Sequence, residues 1–456
     1  MPRSCTVVAS RCLQSRFTFH VSRFIPRMRK PSVLVIFLTV FMDLIGFGIV
    51  LALLPLYSRN LGAGAWLIGA IQASFSAMQF LFAPAWGRLS DRIGRRPVLL
   101  VSTAGSAVSY VILAIGCGLN GSLALWVVLA SRLVAGICAA NITVAQAYIA
   151  DITPPAERSK RMGLIGMAFG LGFVFGPPLG SLGIQLIGVS GPGVLAAGFC
   201  TLNFFLALAI LPESWTPSSE HVAQRPRWTQ WTHTLAHPKI GLLILVFFLA
   251  TFCFASFETT LGLLISDNFH LNRATQQDMK LSGYLIAYCG IVGALVQGGL
   301  VGRLVKRNGE ARVIANSLFL LAAALAPLPF IRGSGAGAWL LLLFFLTILA
   351  IGSQLTRPPL FGLISILTPA HEQGATIGVA QSAGSLARIV GPVFGSTLLA
   401  YHPRGMPWAR GALPYLICAA VSLCTGFLVV RRLCADPAPA ERNPFSETPN
   451  SKLQTP

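Results

Sequence analysis

Twelve separate apolar stretches constrain this chain more than any other feature. They run near 33–56, 66–86, 97–118, 123–150, 163–187, 194–211, 239–265, 282–302, 312–331, 338–362, 374–400 and 411–430. About 20 apolar residues in a helix cross the hydrocarbon core of a bilayer. Lipid offers the backbone no hydrogen-bond partner, so a spanning segment of this length must satisfy its own peptide groups as a helix. The expectation is an all-α membrane protein with twelve transmembrane helices. The sparse charge agrees: 11% of residues are Asp, Glu, Lys or Arg, where soluble domains carry about 25%.

The net charge of +20 would suit a nucleic-acid binder, but its placement does not. With both termini set on one side, 25 of the 34 Lys and Arg fall in connections on that side and 6 on the other. Such an imbalance follows the positive-inside rule, so both ends are expected in the cytoplasm and no nucleic-acid partner is expected. Organisation follows from the spacing. Residues 31–213 form one six-helix bundle, 214–238 a cytoplasmic linker, 239–433 a second bundle, and 434–456 a disordered tail rich in Pro, Ser, Thr and Asn. Residues 1–30 hold seven basic residues and no acid, the composition of a transit peptide. The alternative, which is preferred, is that translation starts at Met28 and the segment simply opens a cytoplasmic terminus.

The two halves are copies of each other. A shift of 215 places Gly87, Arg88, Leu89, Arg92 and Gly94 on Gly302, Arg303, Leu304, Arg307 and Gly309. The same shift places Thr153, Pro154, Glu157 and Gly163 on Thr368, Pro369, Glu372 and Gly378, and Gly176, Pro177 and Gly180 on Gly391, Pro392 and Gly395. It also brings Asp43 onto Glu258. Because six spans separate the copies, the halves share one orientation and form two pseudo-symmetric six-helix bundles related about the membrane normal.

Three motifs add detail. The connection after the second span reads Gly87-Arg88-Leu89-Ser90-Asp91-Arg92-Ile93-Gly94-Arg95-Arg96-Pro97; the fourth span holds Arg132-Leu133-Val134-Ala135-Gly136; the fifth holds Gly163, Gly172 and Gly176-Pro177-Pro178-Leu179-Gly180. Together they resemble the signatures of the major facilitator superfamily, and more narrowly its twelve-span drug:proton antiporters, tetracycline-efflux-like proteins included. Ser181 stands where the antiporter pattern usually has Gly. The resemblance implies the major facilitator fold and a cytoplasmic latch of Gly87, Asp91, Arg92, Gly94, Arg95 and Arg96, with Asp151 as partner for Arg95 or Arg96. It also implies that the fifth span, through Gly163, Gly172, Gly176, Pro177 and Gly180, lines the bundle interface. Read on their own, Gly172, Gly176 and Gly180 recur every four residues and allow close helix approach, while Pro177 removes a backbone hydrogen bond. The second latch copy has Lys306 and Glu310 in place of Asp91 and Arg95, so the latch is expected to be asymmetric.

Of fourteen Asp and Glu, only Asp43 and Glu258 lie well inside a span. A charge at the bilayer centre costs roughly 2.5–3.5 kcal/mol on insertion scales. Both are therefore candidates for proton coupling, and so, by resemblance, is Arg132; the competing role for either acid is an ion pair with Arg132, Arg357 or Arg388. Arg357 and Arg388 are candidates for holding an anionic substrate or bracing a helix. Phe41, Phe47, Trp126, Tyr148, Phe252, Phe254 and Phe257 are candidates for lining a cavity for an amphipathic compound. Tetracycline pumps of the resembled family carry an acid in the third span where Ser109 stands here, which argues against tetracycline itself.

The resulting expectation is a secondary active transporter in the plasma (inner) membrane, or an organelle membrane if 1–30 is a transit signal. It would act as a monomer and exchange protons for a small amphipathic compound, with a proton-coupled symporter or facilitator as alternative and a receptor or scaffold as the rival of another class. No enzyme activity, cofactor or metal is expected. The sequence has no P-loop for nucleotide, no Ser–His constellation, and its cysteines (Cys117, Cys138, Cys200, Cys253 and Cys289 among them) read as small packing residues.

Overall fold

The computed structural model describes residues 31–51, 65–139, 141–215, 227–269, 276–333, 335–400 and 411–435. The readings of residues 1–30 and of the tail beyond Ala435 lie outside these. The described residues are almost all helical, with no strand among them. The first half contains α1 (Val33–Leu51), α2 (Ala65–Ile93), α3 (Arg95–Gly118), α4 (Gly121–Cys138), α5 (Asn141–Ile152), α6 (Pro155–Ile187) and α7 (Gly191–Ile210). After α8 (Arg227–Ala236) the second half contains α9 (Pro238–Asn268), α10 (Gln276–Leu295), α11 (Val301–Asn308), α12 (Glu310–Leu325), α13 (Ala336–Leu367), α14 (Gln373–Ala400) and α15 (Leu413–Val429). A π-helical turn, Val296–Leu300, joins α10 to α11, so these two are one long rod.

Ten helices among the described residues are long and apolar enough to span a bilayer. Two more, α2 and α14, have 29 and 28 residues but carry glutamines, serines and charges along their length. The reason is their position: they pack on each other, with Ser382 Oγ donating to the Phe80 carbonyl at 2.7 Å, so polar groups there meet protein and not lipid.

Packing repeats from half to half. In the first, α1 lies on α6 and α7, and α3 on α4 and α7; in the second, α9 lies on α14 and α15, and α12 on α13 and α15. The contacts between halves repeat as well: α2 meets α14, and α10 meets α6. Small residues make these approaches possible. The backbone of α6 at Gly172 and Gly176 lies against that of α1 at Leu44 and Gly48, where a Cβ would collide. In lipid such close van der Waals contact replaces the hydrophobic effect as the force between helices. Gly94 and Gly309, partners under the repeat, turn the chain at φ 100° and 77°, a conformation disfavoured for other residues.

The segment expected to be a cytoplasmic linker contains a helix. Within 214–238, α8 forms ten helical residues and sets Trp231 edge-on to Phe80 of α2 at 5.7 Å. His237 Nδ1 then caps α9 by accepting from the Ile240 amide at 3.3 Å. The spacing of Trp228, Trp231 and Leu235 is the helical signal that the polar composition hides.

Candidate functional site

A cavity of about 860 Å³ lies between the halves, at the upper end of the range for small-molecule sites. All five intramembrane charges line it: Asp43 of α1, Arg132 of α4, Glu258 of α9, Arg357 of α13 and Arg388 of α14. They come from five helices scattered over the chain, and the repeat brings the two acids to equivalent positions on its two sides.

The acids sit in different surroundings. Asp43 is almost fully buried and accepts from Asn141 Nδ2 at 2.7 Å on one oxygen and faces the Cys200 thiol at 3.8 Å on the other. Asn141 begins α5. No ion pair joins Asp43 to Arg132. That guanidinium is buried, lies 5.6 Å from the Phe75 ring and 5.7 Å from the Tyr110 ring, and leaves Nε and Nη2 without hydrogen bonds. Contact with ring faces supplies part of the stabilisation that water would give a cation. Glu258, by contrast, has no hydrogen-bond partner among the described residues and feels the charges of Arg357 and Arg388. Arg357 lies 5.5 Å from the Phe247 ring and 6.0 Å from the Phe169 ring. Arg388 donates through Nη2 to Gln79 Oε1 at 2.6 Å and Ser385 Oγ at 3.0 Å, linking α14 to α2.

Between this cavity and the turn at Gly94 runs a seam of neutral amides. Gln381 Nε2 donates to Gln146 Oε1 across the halves at 2.9 Å, and Gln297 Nε2 donates to Gln354 Oε1 at 2.5 Å. Gly166 leaves room for the Gln297 side chain. Beyond the seam lies a charged cluster. Arg95 is fully buried and pairs with Asp91 at 2.5 Å and with Asp151 at 2.9 Å. The Asp91 carboxylate also accepts the amides of Gly374 at 3.0 Å and Ala375 at 2.9 Å. It therefore caps the start of α14 from the other half, where the unpaired amides and the helix dipole favour an anion. Gly87 and Gly374 allow the two backbones to touch. Of the two arginines considered for Asp151, Arg95 takes it; Arg96 donates to the Leu208 carbonyl at 2.9 Å within its own half, and Arg92 is exposed.

In α6 the motif glycines divide by face. Gly172 and Gly176 meet α1 of their own half, whereas Gly163 meets Gln297 across the interface, where the neighbouring Gly170 meets Gly290. Gly180 is buried, and α6 continues helical through Pro177 and Pro178.

Of the aromatic candidates, Phe47, Phe254 and Phe257 line the cavity. Trp126 is 66% exposed on the outer surface. Tyr148 is buried with its hydroxyl donating to the Pro212 carbonyl at 3.1 Å. Phe41 stacks on Phe37, and Phe252 on Phe248. Ser109 bonds to the Ser106 carbonyl at 2.7 Å within α3, and its neighbour one turn back, Ser106, reaches the cavity. Sequence reasoning passed over Gln72, Ser76 and Gln79, which line the cavity from α2; polar residues at a spacing of three to four in an apolar span were the available signal. It also passed over Glu213, whose carboxylate accepts the amides of Arg95 at 2.8 Å and Arg96 at 3.1 Å and so caps α3.

The family model of the Major Facilitator Superfamily matches residues 36–392. The chain belongs to the major facilitator superfamily. Among its relatives, the class E tetracycline resistance protein of Escherichia coli is 32% identical, over 79% of this chain and 86% of that one. The class C protein of the same organism is 31% identical over 86% and 96%. Major facilitator superfamily domain-containing protein 10 of Bos taurus is 30% identical over 88% and 92%. The crystal structure of the human organic anion transporter MFSD10 (TETRAN) superposes with a TM-score of 0.70 at 25% identity, covering 87% of this chain and 98% of that one. A bacterial homologue of ferroportin, at 13% identity and a TM-score of 0.69, shares the fold. This superfamily member is therefore a multi-pass membrane transporter and not an enzyme.

Proposed function

We propose that the protein is a proton-coupled antiporter that exports a small amphipathic drug or organic anion by alternating access, acting as a monomer in the plasma membrane with both termini cytoplasmic. The observation that carries this reading is the convergence of both intramembrane acids on one cavity between the halves. Charged groups at this depth are costly, and a transporter has a use for them that a scaffold lacks. Asp43 and Glu258 serve as proton carriers, with Arg132 tuning the first. The cluster of Asp91, Arg95 and Asp151 acts as the latch that holds the cytoplasmic side shut while the cavity stays open elsewhere. Release of the α14 cap would let the halves rock about the central site. The names of the relatives supply the substrate class, since tetracycline resistance proteins and an organic anion transporter both lie within its range of similarity.

The test is a panel of amphipathic compounds, tetracycline and organic anions included, in proteoliposomes with an imposed pH gradient. Antiport predicts accumulation of a compound on the acidic side, with protons moving the other way. Asp43→Asn combined with Glu258→Gln is expected to abolish proton movement while the protein still inserts. Undiminished proton flux in the double variant would overturn the coupling role, and accumulation on the basic side would favour symport.

A further inference from the structure

We propose that the α11–α12 corner, together with the turn that ends α15, is a docking surface for the anionic headgroups of bilayer phospholipids, read by Arg303, Lys306, Arg307, Arg312, Arg431 and Arg432. The inference goes beyond the transport reading and holds whatever compound the cavity takes.

Placement comes first. Three apolar spans, Tyr284–Asn308, Glu310–Phe330 and Leu413–Cys434, end or begin here. The six cations sit in their terminal turns, which sets them at the depth of lipid headgroups. On α11, Val301 and Val305 turn inward against Val313 and Leu355. Arg303, Lys306 and Arg307, at spacings of three and four, share the opposite face. α12 packs both on α11 and on the π-helical turn Val430–Cys434, so Arg312 in its first turn links the two groups. All six cations are exposed.

The charge on this surface is not used by the protein itself. None of the six cations has an ion pair among the described residues. The one acid on these three elements, Glu310, accepts from Ser159 Oγ at 3.2 Å. The bias that places cations on one side of the bilayer does not require such a concentration, as the first corner shows. The positions equivalent under the repeat are Arg88, Asp91, Arg92, Pro97, Thr216 and Pro217. There Arg95 is held by Asp91 and Asp151, and Arg96 by the Leu208 carbonyl. At the second corner the charge is turned outward instead. Five of its six cations are arginines, whose planar fork matches the oxygens of a phosphate.

The same faces are apolar where they continue into the bilayer. Exposed Leu300 precedes Arg303 by one turn, and exposed Leu423 and Phe427 precede Arg431 at spacings of four. Phe427 meets Phe319 of α12 edge-on at 5.2 Å, so the apolar wall passes from one helix to the next. A phospholipid with its phosphate on the arginines lays its acyl chains along this wall. A free anion would use the cations and leave the wall bare, so the arrangement fits an amphiphile.

The experiment gives the purified full-length protein in detergent equal amounts of phosphatidylglycerol and phosphatidylcholine with the same acyl chains, and counts bound lipids by native mass spectrometry. Wild type is expected to retain phosphatidylglycerol in excess, and the excess should shrink as salt is raised. Arg303→Gln, Lys306→Gln and Arg307→Gln combined should cut that excess at least about fivefold, the preference that a single cation gives near an anionic surface. Arg431→Gln with Arg432→Gln should also cut it. Lysine in place of each arginine should keep most of it. Arg332→Gln removes an exposed cation beyond the far end of the span Glu310–Phe330 and should leave the ratio at the wild-type value. No variant should unfold in lipid-free detergent below the wild-type temperature, which reports that each is folded. Inorganic phosphate at the concentration of the lipid should not displace phosphatidylglycerol; if it does, the cations take free phosphate and the lipid surface is overturned. The proposal also fails if the triple and double variants bind the two lipids in the wild-type ratio, or if Arg332→Gln lowers the ratio as far as they do.

Discussion

The α2–α3 corner and the α11–α12 corner are repeat copies with the same backbone and different chemistry. Both turn at a glycine of positive φ, Gly94 and Gly309, and both face the start of a helix in the other half, α14 and α6 respectively. At the first corner Asp91 caps α14 and is locked by buried Arg95 and by Asp151 behind it. At the second, Lys306 stands at the Asp91 position and is exposed. A cation cannot accept the amides that open α6, and the helix dipole disfavours it there. Pro155, which has no amide proton to satisfy, and Glu157 in the first turn begin α6 instead. A side-chain bond from Ser159 Oγ to Glu310 at 3.2 Å stands where the first corner has its charged cluster. The two copies thus share the shape of the interface, and among the described residues the ionic lock stands at the first corner. Two identical locks would hold the halves together twice over, which would oppose the motion a transporter needs.

Substitutions at the two corners can break this contrast. Arg95→Ala should have the largest effect. It strands Asp91 and Asp151, and removing one partner of a buried pair typically costs about 3–5 kcal/mol. The expected result is a clearly lowered unfolding temperature in detergent and faster hydrogen exchange at the Gly374 and Ala375 amides; unchanged exchange at those amides would show that the lock does not hold the interface. Gly374→Val should come next. Its side chain would meet the Gly87 backbone and the Asp91 carboxylate, and overpacking of this kind costs about 1–3 kcal/mol. The check is cross-linking yield between cysteines introduced on α2 and α14, expected to fall several-fold. Lys306→Asp should have the smallest effect and the opposite sign. It removes a cation from beside the start of α6, where the helix dipole disfavours one, so the unfolding temperature in detergent should rise slightly. A lowered unfolding temperature would mean that the second corner cannot accept the chemistry of the first.

Much of this was legible in the residues. Apolar length set the helices, since lipid leaves a backbone no other satisfied form, and the shift of 215 set the pairing of halves because repeated sequence repeats its contacts. Asp43 and Glu258 stood out because acids are so rare in the spans. The polar stripe of α2, the helix α8 and the caps by Asp91 and Glu213 were harder to see. A cap joins a carboxylate to backbone amides far along the chain, and amides carry no residue identity to read.

The sequence by itself determined the class of protein, the number of deeply placed charges and the kinship of the halves, all of which follow from local hydropathy and self-similarity. Only the tertiary structure decided that Asp43 rests on neutral donors while Glu258 shares its cavity with two arginines, and that Arg132 sits between aromatic rings without a carboxylate. Those pairings depend on how helices rotate against one another in lipid, and small-residue contacts such as Gly48 on Gly176 fix that rotation.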